Sequence, residues 1–307
     1  MLNFAARHGK RCLFIGLVIG LSFPALAQQV KVYLPALVAG LLFLASFRMS
    51  PAALLNGLRN TRPTLRLVAI YQVAAPLVAV GLVTLMGVQG TTAAFALILM
   101  LSAPSVTGSP NFAILMGQEP DGAWRLLVVG TALFPVTVFP VLWLLPEIED
   151  TTVVTSALRL AAMVLLASGT AFALRKGVFS NLEDRHVQAL DGAGAILLAV
   201  VVIGLMSAVG PLLLDDPLRF LAWLGFACCV NFGLQLLAWS TIGRTVSHAE
   251  RAGVSIVAGN RNIALFLVAL PPATTDALLE FIGCYQIPMY LTPVFMAAIY
   301  NRAHRHP

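Results

Sequence analysis

Charged residues are scarce in this sequence. Only 10% of its 307 residues are charged and 59% are hydrophobic, whereas soluble globular domains carry about 25% charged residues. This composition excludes an ordinary soluble domain, and the length accommodates about ten apolar helices of about 20 residues each. The net charge of +6 by itself is no indication of nucleic-acid binding in such a chain, and we expect no nucleic-acid partner. We therefore predict an all-α polytopic membrane protein surrounded by the lipid bilayer.

The side chains that metal and catalytic sites require are missing from the apolar runs. The four cysteines show no metal-ligand spacing, and the five histidines lie in polar segments or near the chain ends. No aspartate or glutamate falls at the middle of an apolar run. These absences argue against an intramembrane metal site, a serine–histidine dyad and a carboxylate proton relay. We therefore expect no enzymatic activity, no metal site and no organic cofactor.

Apolar runs separated by short polar breaks predict ten transmembrane helices. Their predicted ranges are 12–27, 32–49, 65–88, 92–117, 123–145, 155–174, 190–210, 217–241, 247–270 and 275–300. With ten spans, nearly all basic residues fall on one side of the membrane, and Lys31 and Arg219 fall on the other. The basic residues on the shared side are Arg7, Lys10, Arg11, Arg48, Arg59, Arg62, Arg66, Arg125, Arg175, Lys176, Arg185, Arg244, Arg251, Arg302 and Arg305. The positive-inside rule then predicts a plasma (inner) membrane protein with both termini in the cytoplasm.

The first apolar run allows an alternative interpretation. Basic residues at 7–11, an apolar stretch and Ala25-Leu26-Ala27 together form a passable secretory signal with a small-residue cleavage site. We favour a transmembrane span instead, because a similar short span at 155–174 is also followed by a longer apolar one.

Ten spans divide into two halves of five, residues 1–150 and residues 151–307. An odd number of spans per half inverts the second half, which is an architecture of secondary transporters. The fourth span of each half is interrupted, by two prolines and a glycine within 102–111 and by the polar run Gly259–Asn262. Unwound backbone at membrane depth persists only where it lines a cavity or is buried in protein. Broken spans in corresponding positions therefore predict a polar site near the membrane midplane.

Arg261 is the strongest single indication of function. A charge at bilayer depth costs about 2.5–3.5 kcal/mol, so an intramembrane charge marks a functional site by default. No carboxylate is expected at a comparable depth, so a structural ion pair is the weaker interpretation. We predict that polar residues of the two breaks join it in the site, namely Asn260, Asn262, Ser105, Thr107, Ser109 and Asn111. Their alternative role is local capping of the half-helix ends.

Other polar residues also lie within the apolar runs. Gln72, four residues before Pro76, is assigned to the site, with hydrogen bonding between helices as the alternative. Asn231 and Gln235 lie one helical turn apart, and we interpret them as packing contacts.

In the order and spacing of these motifs, the sequence resembles the bile acid:sodium symporter superfamily over essentially the whole chain. The resemblance depends on Gln72 with Pro76, on the segment 103–111 and on the segment 258–265. It implies a ten-span inverted-repeat carrier whose fourth and ninth helices are broken and cross. It also implies a sodium site at the crossing, formed by a Ser-Asn pair, a fifth-span hydroxyl and a Glu-x-Gly-x-Gln-Asn motif.

This sequence departs from the sodium motif of that superfamily. Ser109, Gly259 and Asn262 match it, and Thr131 is the candidate for the fifth-span hydroxyl. Pro110 stands in the place of the asparagine, Val257 in the place of the glutamate and Arg261 in the place of the glutamine. A guanidinium about 4 Å from a sodium ion would repel it by about 4 kcal/mol at an effective dielectric constant of 20.

We therefore predict a secondary active transporter of a small organic anion that works by alternating access, with Arg261 replacing the sodium ion. One alternative is a sodium-coupled symporter in which Asn260, Ser109 and main-chain carbonyls still bind sodium, so sodium remains an open question. A channel is a second alternative, because half-helices that meet at asparagines are typical of water channels. The expected partner is a small anionic molecule, and the sequence does not predict an oligomeric state.

Overall fold

The computed structural model describes residues 2, 9–48, 61–179, 182–244 and 246–302, and every regular element in these ranges is helical. The first helices are α1 (Gly9–Ser22), α2 (Pro24–Lys31), α3 (Leu34–Arg48), α4 (Thr61–Ala69), a π-helical segment (Ile70–Ala74), α5 (Ala75–Leu85), α6 (Thr92–Ser102), α7 (Ser109–Leu115), α8 (Asp121–Thr137) and α9 (Phe139–Trp143). The remaining α-helices are α10 (Asp150–Gly177), α11 (Asp184–Leu205), α12 (Val209–Asp215), α13 (Pro217–Thr241), α14 (His248–Gly259), α15 (Phe266–Ala269), α16 (Pro272–Asp276), α17 (Leu279–Phe295) and α18 (Ala297–Arg302). Two short 3-10 turns occupy Ile242–Arg244 and Ile263–Leu265.

Six helical segments in the described ranges are long and apolar enough to cross a membrane. They are Arg62–Leu85, Asp121–Trp143, Asp150–Gly177, Asp184–Leu205, Pro217–Thr241 and Leu279–Asn301. A bent pair, Arg11–Ser22 with Pro24–Lys31, makes a seventh if it is one span. The helices thus agree with the predicted membrane protein. The count of ten, the inverted repeat and the cytoplasmic termini stay predictions, and Arg7, Arg59 and Arg305 lie outside the described residues.

The shortfall from ten has local physical causes. The predicted span 12–27 is not one straight helix, because the chain bends by 108° at Phe23 before Pro24. A residue before proline is disfavoured in the helical region, so the helix ends there. The predicted spans 92–117 and 247–270 contain breaks that leave only short helices, and α3 is 15 residues long.

The chain forms two compact units, each assembled from separate segments. The first unit comprises Met1–Ala53, Leu158–Leu221 and Ala264–Gly283, and the second comprises Leu54–Ala157, Ala222–Ile263 and Cys284–Pro307. The predicted halves 1–150 and 151–307 describe a repeat along the chain rather than compact units, and that division stays a prediction.

In the first unit, α11 packs along α1, α2 and α3. The closest approach uses Gly16 and Gly20 of α1. A Cβ atom at Gly16 would lie 2.6 Å from the Ala199 carbonyl oxygen, and one at Gly20 would lie 2.7 Å from the Met206 Cβ. Glycines four residues apart thus let the two helix backbones come close, as in other membrane helix pairs.

In the second unit, α8 packs against α14 and α4. The π-helical segment interrupts the helix that runs from Thr61 to Leu85, and the Ala75 N–H donates to the Ile70 carbonyl five residues earlier. Pro76 explains this local widening, because proline has no N–H for the carbonyl of Gln72 and its ring clashes with that carbonyl. The widened turn carries Tyr71 and Gln72, both buried, and π-bulges are frequent at functional sites.

Candidate functional site

Both predicted interruptions are present, and both lie in the second unit. α6 ends at Ser102, Ala103 is extended, and helix resumes only at Ser109. Pro104 accounts for this end, since it disfavours helical geometry at the residue before it. α14 ends at Gly259, and Asn260 has non-helical dihedral angles (φ −111°, ψ 86°).

The two breaks pair with each other through their backbones. The Val106 N–H donates to the Asn260 carbonyl at 3.0 Å, and the Asn262 N–H donates to the Pro104 carbonyl at 2.8 Å. These bonds form an antiparallel bridge between Ser105 and Arg261. The bridge satisfies backbone groups that the helices release, which buried unwound segments require. The two broken segments therefore contact each other directly.

The Arg261 side chain bonds to the ends of both half-helices. It is only 2% exposed, its Nε donates to the Ala258 carbonyl at 3.0 Å, and its Nη1 donates to the Ala103 carbonyl at 3.1 Å. Ala258 lies in the last turn of α14, and Ala103 is the C-terminal cap of α6. Each helix C-terminus carries a partial charge of about −0.5. The guanidinium therefore bridges two electronegative helix ends.

Two tyrosines complete the surroundings of Arg261. The Tyr71 ring lies over the guanidinium at 4.7 Å from its centroid, a cation–π contact. The Tyr285 hydroxyl accepts a hydrogen bond from the Arg261 backbone N–H at 3.0 Å and donates to the Gly259 carbonyl. Among the described residues, no carboxylate pairs with Arg261. Helix ends and an aromatic ring take the place of a counter-ion.

Asn260 ties the break in α14 to two neighbouring helices. Its Nδ2 donates to the Ile256 carbonyl at 2.8 Å, which caps the end of α14. Its Oδ1 accepts hydrogen bonds from Asn231 of α13 at 3.3 Å and from Thr292 of α17 at 3.2 Å. The predicted site role and the predicted capping role therefore coincide in this residue.

A buried polar network continues from this break along α13 and α17. Asn231 donates to the Gly259 carbonyl at 2.5 Å, and Gln235 donates to Asn231 at 2.8 Å and to Thr292 at 3.1 Å. The Tyr300 hydroxyl donates to the Gln235 Oε1 at 3.2 Å. The interpretation of Asn231 and Gln235 as packing contacts was incomplete, because they hydrogen-bond to the break and to its supports. Their helical-turn spacing in an apolar span was the available signal.

The other predicted residues of the first break occupy different environments. Ser105 is buried and donates to the Val106 carbonyl at 3.1 Å. Ser109 is fully buried, and its Oγ has no hydrogen-bond partner among the described residues. Thr107 is half-buried, and Asn111 is exposed on α7. In the second break, Asn262 is half-buried and contributes its backbone N–H.

Gln72 and Thr131 are both buried in the second unit. Gln72 is 2% exposed, and its Oε1 accepts a hydrogen bond at 2.7 Å from Thr137. Thr137 follows Thr131 on α8 by more than one helical turn. It is therefore Thr137 that supplies the α8 hydroxyl in contact with Gln72. Sequence reasoning missed Thr137, Tyr71, Tyr285 and Thr292, because single hydroxyls and aromatic rings in apolar helices look like core residues.

A separate cavity of about 210 Å³ lies within the second unit. Its walls come from the first two turns of α4, α8 and α14, and they include the ion pair of Arg125 with Glu250 at 2.5 Å. Arg261 does not line this cavity. α14 contributes to both places, since Val254 lines the cavity and Ala258 accepts a hydrogen bond from Arg261.

Comparison with known protein families gives no matching family model, and comparison with curated proteins gives no significant match.

Proposed function

We propose that this protein is a secondary active transporter of a small organic anion, in which the Arg261 guanidinium serves as a built-in cation. The observation that carries this proposal is the bridge from Arg261 to the C-terminal carbonyls of both interrupted helices. In the bile acid:sodium symporter superfamily, which the sequence resembles, a bound sodium ion occupies the corresponding crossing. A tethered guanidinium supplies the same single positive charge without dissociating.

Electrostatics supports this role for Arg261. Two helix C-termini together present a charge of about −1. One guanidinium offsets that charge, and its planar donors match carbonyl oxygens at fixed positions. The cost of burying the arginine is thereby reduced without a carboxylate. A cation at this point lets two half-helices end beside each other.

The main-chain oxygen atoms beside the two breaks are already hydrogen-bonded. The Ala103 and Ala258 carbonyls accept from Arg261, and the Gly259 carbonyl accepts from Asn231 and Tyr285. Val257 occupies the position of the acidic ligand in the superfamily motif. The residues present therefore do not fit a sodium ion, which supports a carrier that works without one.

One observation favours the second candidate, a sodium-coupled symporter with a modified site. The Ser109 Oγ is buried and has no hydrogen-bond partner among the described residues. A hydroxyl left unsatisfied in this way costs about 1–3 kcal/mol, so a ligand that engages Ser109 would gain that much. Sodium is one such ligand, and a substrate oxygen is another.

An anionic substrate agrees with the remaining donors of the guanidinium. The described residues provide hydrogen-bond acceptors for its Nε and Nη1 but none for its Nη2. Hydrogen bonds from arginine to carboxylate are roughly twice as strong as neutral ones. A substrate carboxylate or sulfonate would be held by such a bond in a conformation of the transport cycle that exposes Nη2.

The arrangement of the chain supports an alternating-access mechanism. The predicted spans one, two, six and seven fall mainly in the first unit, and most of the others fall in the second. Equivalent spans of two repeats are expected to share a structural role. Two compact units of this composition suit a carrier in which one body moves relative to the other.

Uptake into proteoliposomes tests the proposal. Radiolabelled pyruvate, benzoate and cholate serve as probes, each assayed with sodium chloride and with choline chloride. We expect saturable uptake with counterflow for at least one probe, equal rates in both salts, and loss of uptake in Arg261→Ala. Sodium-stimulated uptake that survives unchanged in Arg261→Ala would contradict the proposal. Ser109→Ala separates the second candidate, which predicts that this variant loses sodium stimulation.

A further inference from the structure

Two of the elements that line the cavity also contact the buried arginine about one helical turn further along. α4 contributes Leu67 to the cavity wall, and Tyr71 follows four residues later. α14 contributes Val254, and Ala258, the acceptor for Arg261 Nε, follows four residues later. A spacing of four residues advances about 6 Å along a helix. The inner end of the cavity therefore lies about one turn from the level of the guanidinium.

Tyr71 lies between the cavity wall and the guanidinium of Arg261. It shares a buried apolar cluster with Leu67, Leu126 and Val254, which all line the cavity. Its hydroxyl donates to the Val254 carbonyl at 3.3 Å, and its ring covers the guanidinium of Arg261 at 4.7 Å. One side chain thus contacts both the cavity wall and the charge.

The widened turn at Ile70–Ala74 sets the position of this ring. A π turn is wider than an α-helical turn, so the side chains in and after it point in different directions than they would in an uninterrupted α-helix. Tyr71 lies inside this turn and is held at its hydroxyl by Val254. The ring is fixed at both ends, by the π turn and by α14.

We infer that Tyr71 is a positioning residue that seals Arg261 from the cavity and holds the guanidinium on the two helix ends. Without the ring, one face of the guanidinium would open toward a cavity of about 210 Å³ whose wall carries Arg125 and Glu250. Small anions could then reach Arg261 from this side. Tyr71 therefore keeps Arg261 a built-in cation and prevents it from acting as an open anion site on that side. This inference rests on the proposed role of Arg261.

Chemical labelling tests the seal without measuring transport. Phenylglyoxal modifies accessible arginines, and mass spectrometry of the detergent-purified protein reports the labelled fraction of Arg261. We expect wild type and Tyr71→Phe to be protected, because both keep the ring. Tyr71→Ala and Tyr71→Leu should raise the initial labelling rate about thirtyfold, the factor that corresponds to a lost desolvated cation–π contact of about 2 kcal/mol. Exposed Arg66 is the internal reference for reagent activity in every sample.

Two controls separate sealing from general loosening of the fold. Leu126→Ala widens the cavity wall but keeps the ring, so Arg261 should stay protected in that variant. Inorganic phosphate should slow the labelling of Arg261 in Tyr71→Ala, because phosphate would occupy the opened guanidinium. Labelling that is equal in Tyr71→Phe and Tyr71→Ala, or equal in Leu126→Ala and Tyr71→Ala, would overturn the inference. Easy labelling of wild-type Arg261 would do the same.

The outcome is independent of the transport assay. A carrier that proves sodium-independent while its Arg261 labels easily would keep the proposed function and lose only the seal. A protected Arg261 in a sodium-dependent carrier would leave the seal intact and remove the proposed function. If Tyr71→Ala does not fold, Tyr71→Leu keeps most of the apolar volume and decides the question by the same comparison with Tyr71→Phe.

Discussion

The two breaks that meet at Ser105 and Arg261 are made in different ways. The first, 103–108, contains Pro104 and is followed by Pro110, and its own sequence prevents a continuous helix. The second, 260–262, contains no proline and is surrounded by bonds from other helices, to Gly259, Asn260 and Arg261. A locally encoded break should tolerate changes in its neighbours. A break that depends on distant side chains should not.

The largest effect is expected from Arg261→Ala. It leaves the Ala103 and Ala258 carbonyls buried without their donor, at about 1–3 kcal/mol each. We expect a loss of about 4 kcal/mol, which lowers the melting temperature of the detergent-purified protein by about 8 °C at about 2 °C per kcal/mol. Ser105→Ala, on the opposite side of the bridge, is the matched control and should change the melting temperature little, since within the described part of the chain its hydroxyl bonds only to the adjacent Val106 carbonyl. Equal effects of the two variants would remove the distinction between the breaks.

Gly259→Ala should have the next largest effect. A Cβ atom at Gly259 would overlap the backbone carbonyl of Asn231 in α13, and backbone cannot move aside as a side chain can. Forced overpacking of this kind costs about 1–3 kcal/mol, and we expect the upper end. The matched control is Gly108→Ala in the first break, where a Cβ would lie 3.4 Å from the Phe112 ring. Thermal melting should show a clear loss for Gly259→Ala and almost none for Gly108→Ala. The reverse order would show that the first break is the more constrained.

Tyr285→Phe tests the support that α17 gives to the second break. The change removes the acceptor for the Arg261 N–H and the donor to the Gly259 carbonyl, so two buried backbone groups lose a partner. We expect a loss of about 2 kcal/mol in the free energy of unfolding. Tyr290→Phe on the same helix is the control, because the Tyr290 hydroxyl has no hydrogen-bond partner among the described residues. That variant should be neutral or slightly stabilising, and a loss equal to that of Tyr285→Phe would contradict the assignment.

The smallest effect is expected from Thr137→Val, which removes the hydroxyl that donates to Gln72. A net hydrogen bond contributes about 0.5–1.5 kcal/mol, so we expect a loss of about 1 kcal/mol. Thr131→Val, on the same helix, should change stability less, since Thr131 was assigned to the site only through the family resemblance. If thermal melting showed a larger loss of stability for Thr131→Val than for Thr137→Val, Thr131 would be the more important hydroxyl of α8.

The same contrast explains what could be predicted from the sequence. The prolines and the glycine predicted the first break, and the run Gly259–Asn262 predicted the second, because both segments consist of poor helix formers within an apolar span. The partners of the second break could not be found in this way. Tyr71, Tyr285 and Thr292 come from distant segments, and their residue types are ordinary in apolar helices.

Helix geometry was less predictable than helix location. As far as the structure describes the chain, every predicted span lies over helical segments, but the bend at Phe23 and the π turn at Ile70–Ala74 were not expected. Both lie close to a proline, Pro24 and Pro76. The prolines indicated that the helices would be distorted there, but they did not indicate whether the distortion would be a bend or a π turn. Asn111, which the motif placed in the site, is exposed on α7. Its side chain therefore needs a substrate or a conformational change to take part, and its site role stays a prediction.

The most direct test of the built-in cation is a comparison of salts in wild type and Arg261→Ala. Melting temperatures are measured for purified protein in sodium chloride, in choline chloride, and in choline chloride with millimolar guanidinium. We expect wild type to melt at the same temperature in all three, and Arg261→Ala to melt lower in choline and to recover partly with sodium or guanidinium. A cation at one hundred times its dissociation constant restores about 2.7 kcal/mol by mass action. If sodium instead raises the melting temperature of wild type, and Arg261→Ala responds to no cation, the guanidinium does not hold the place of an ion.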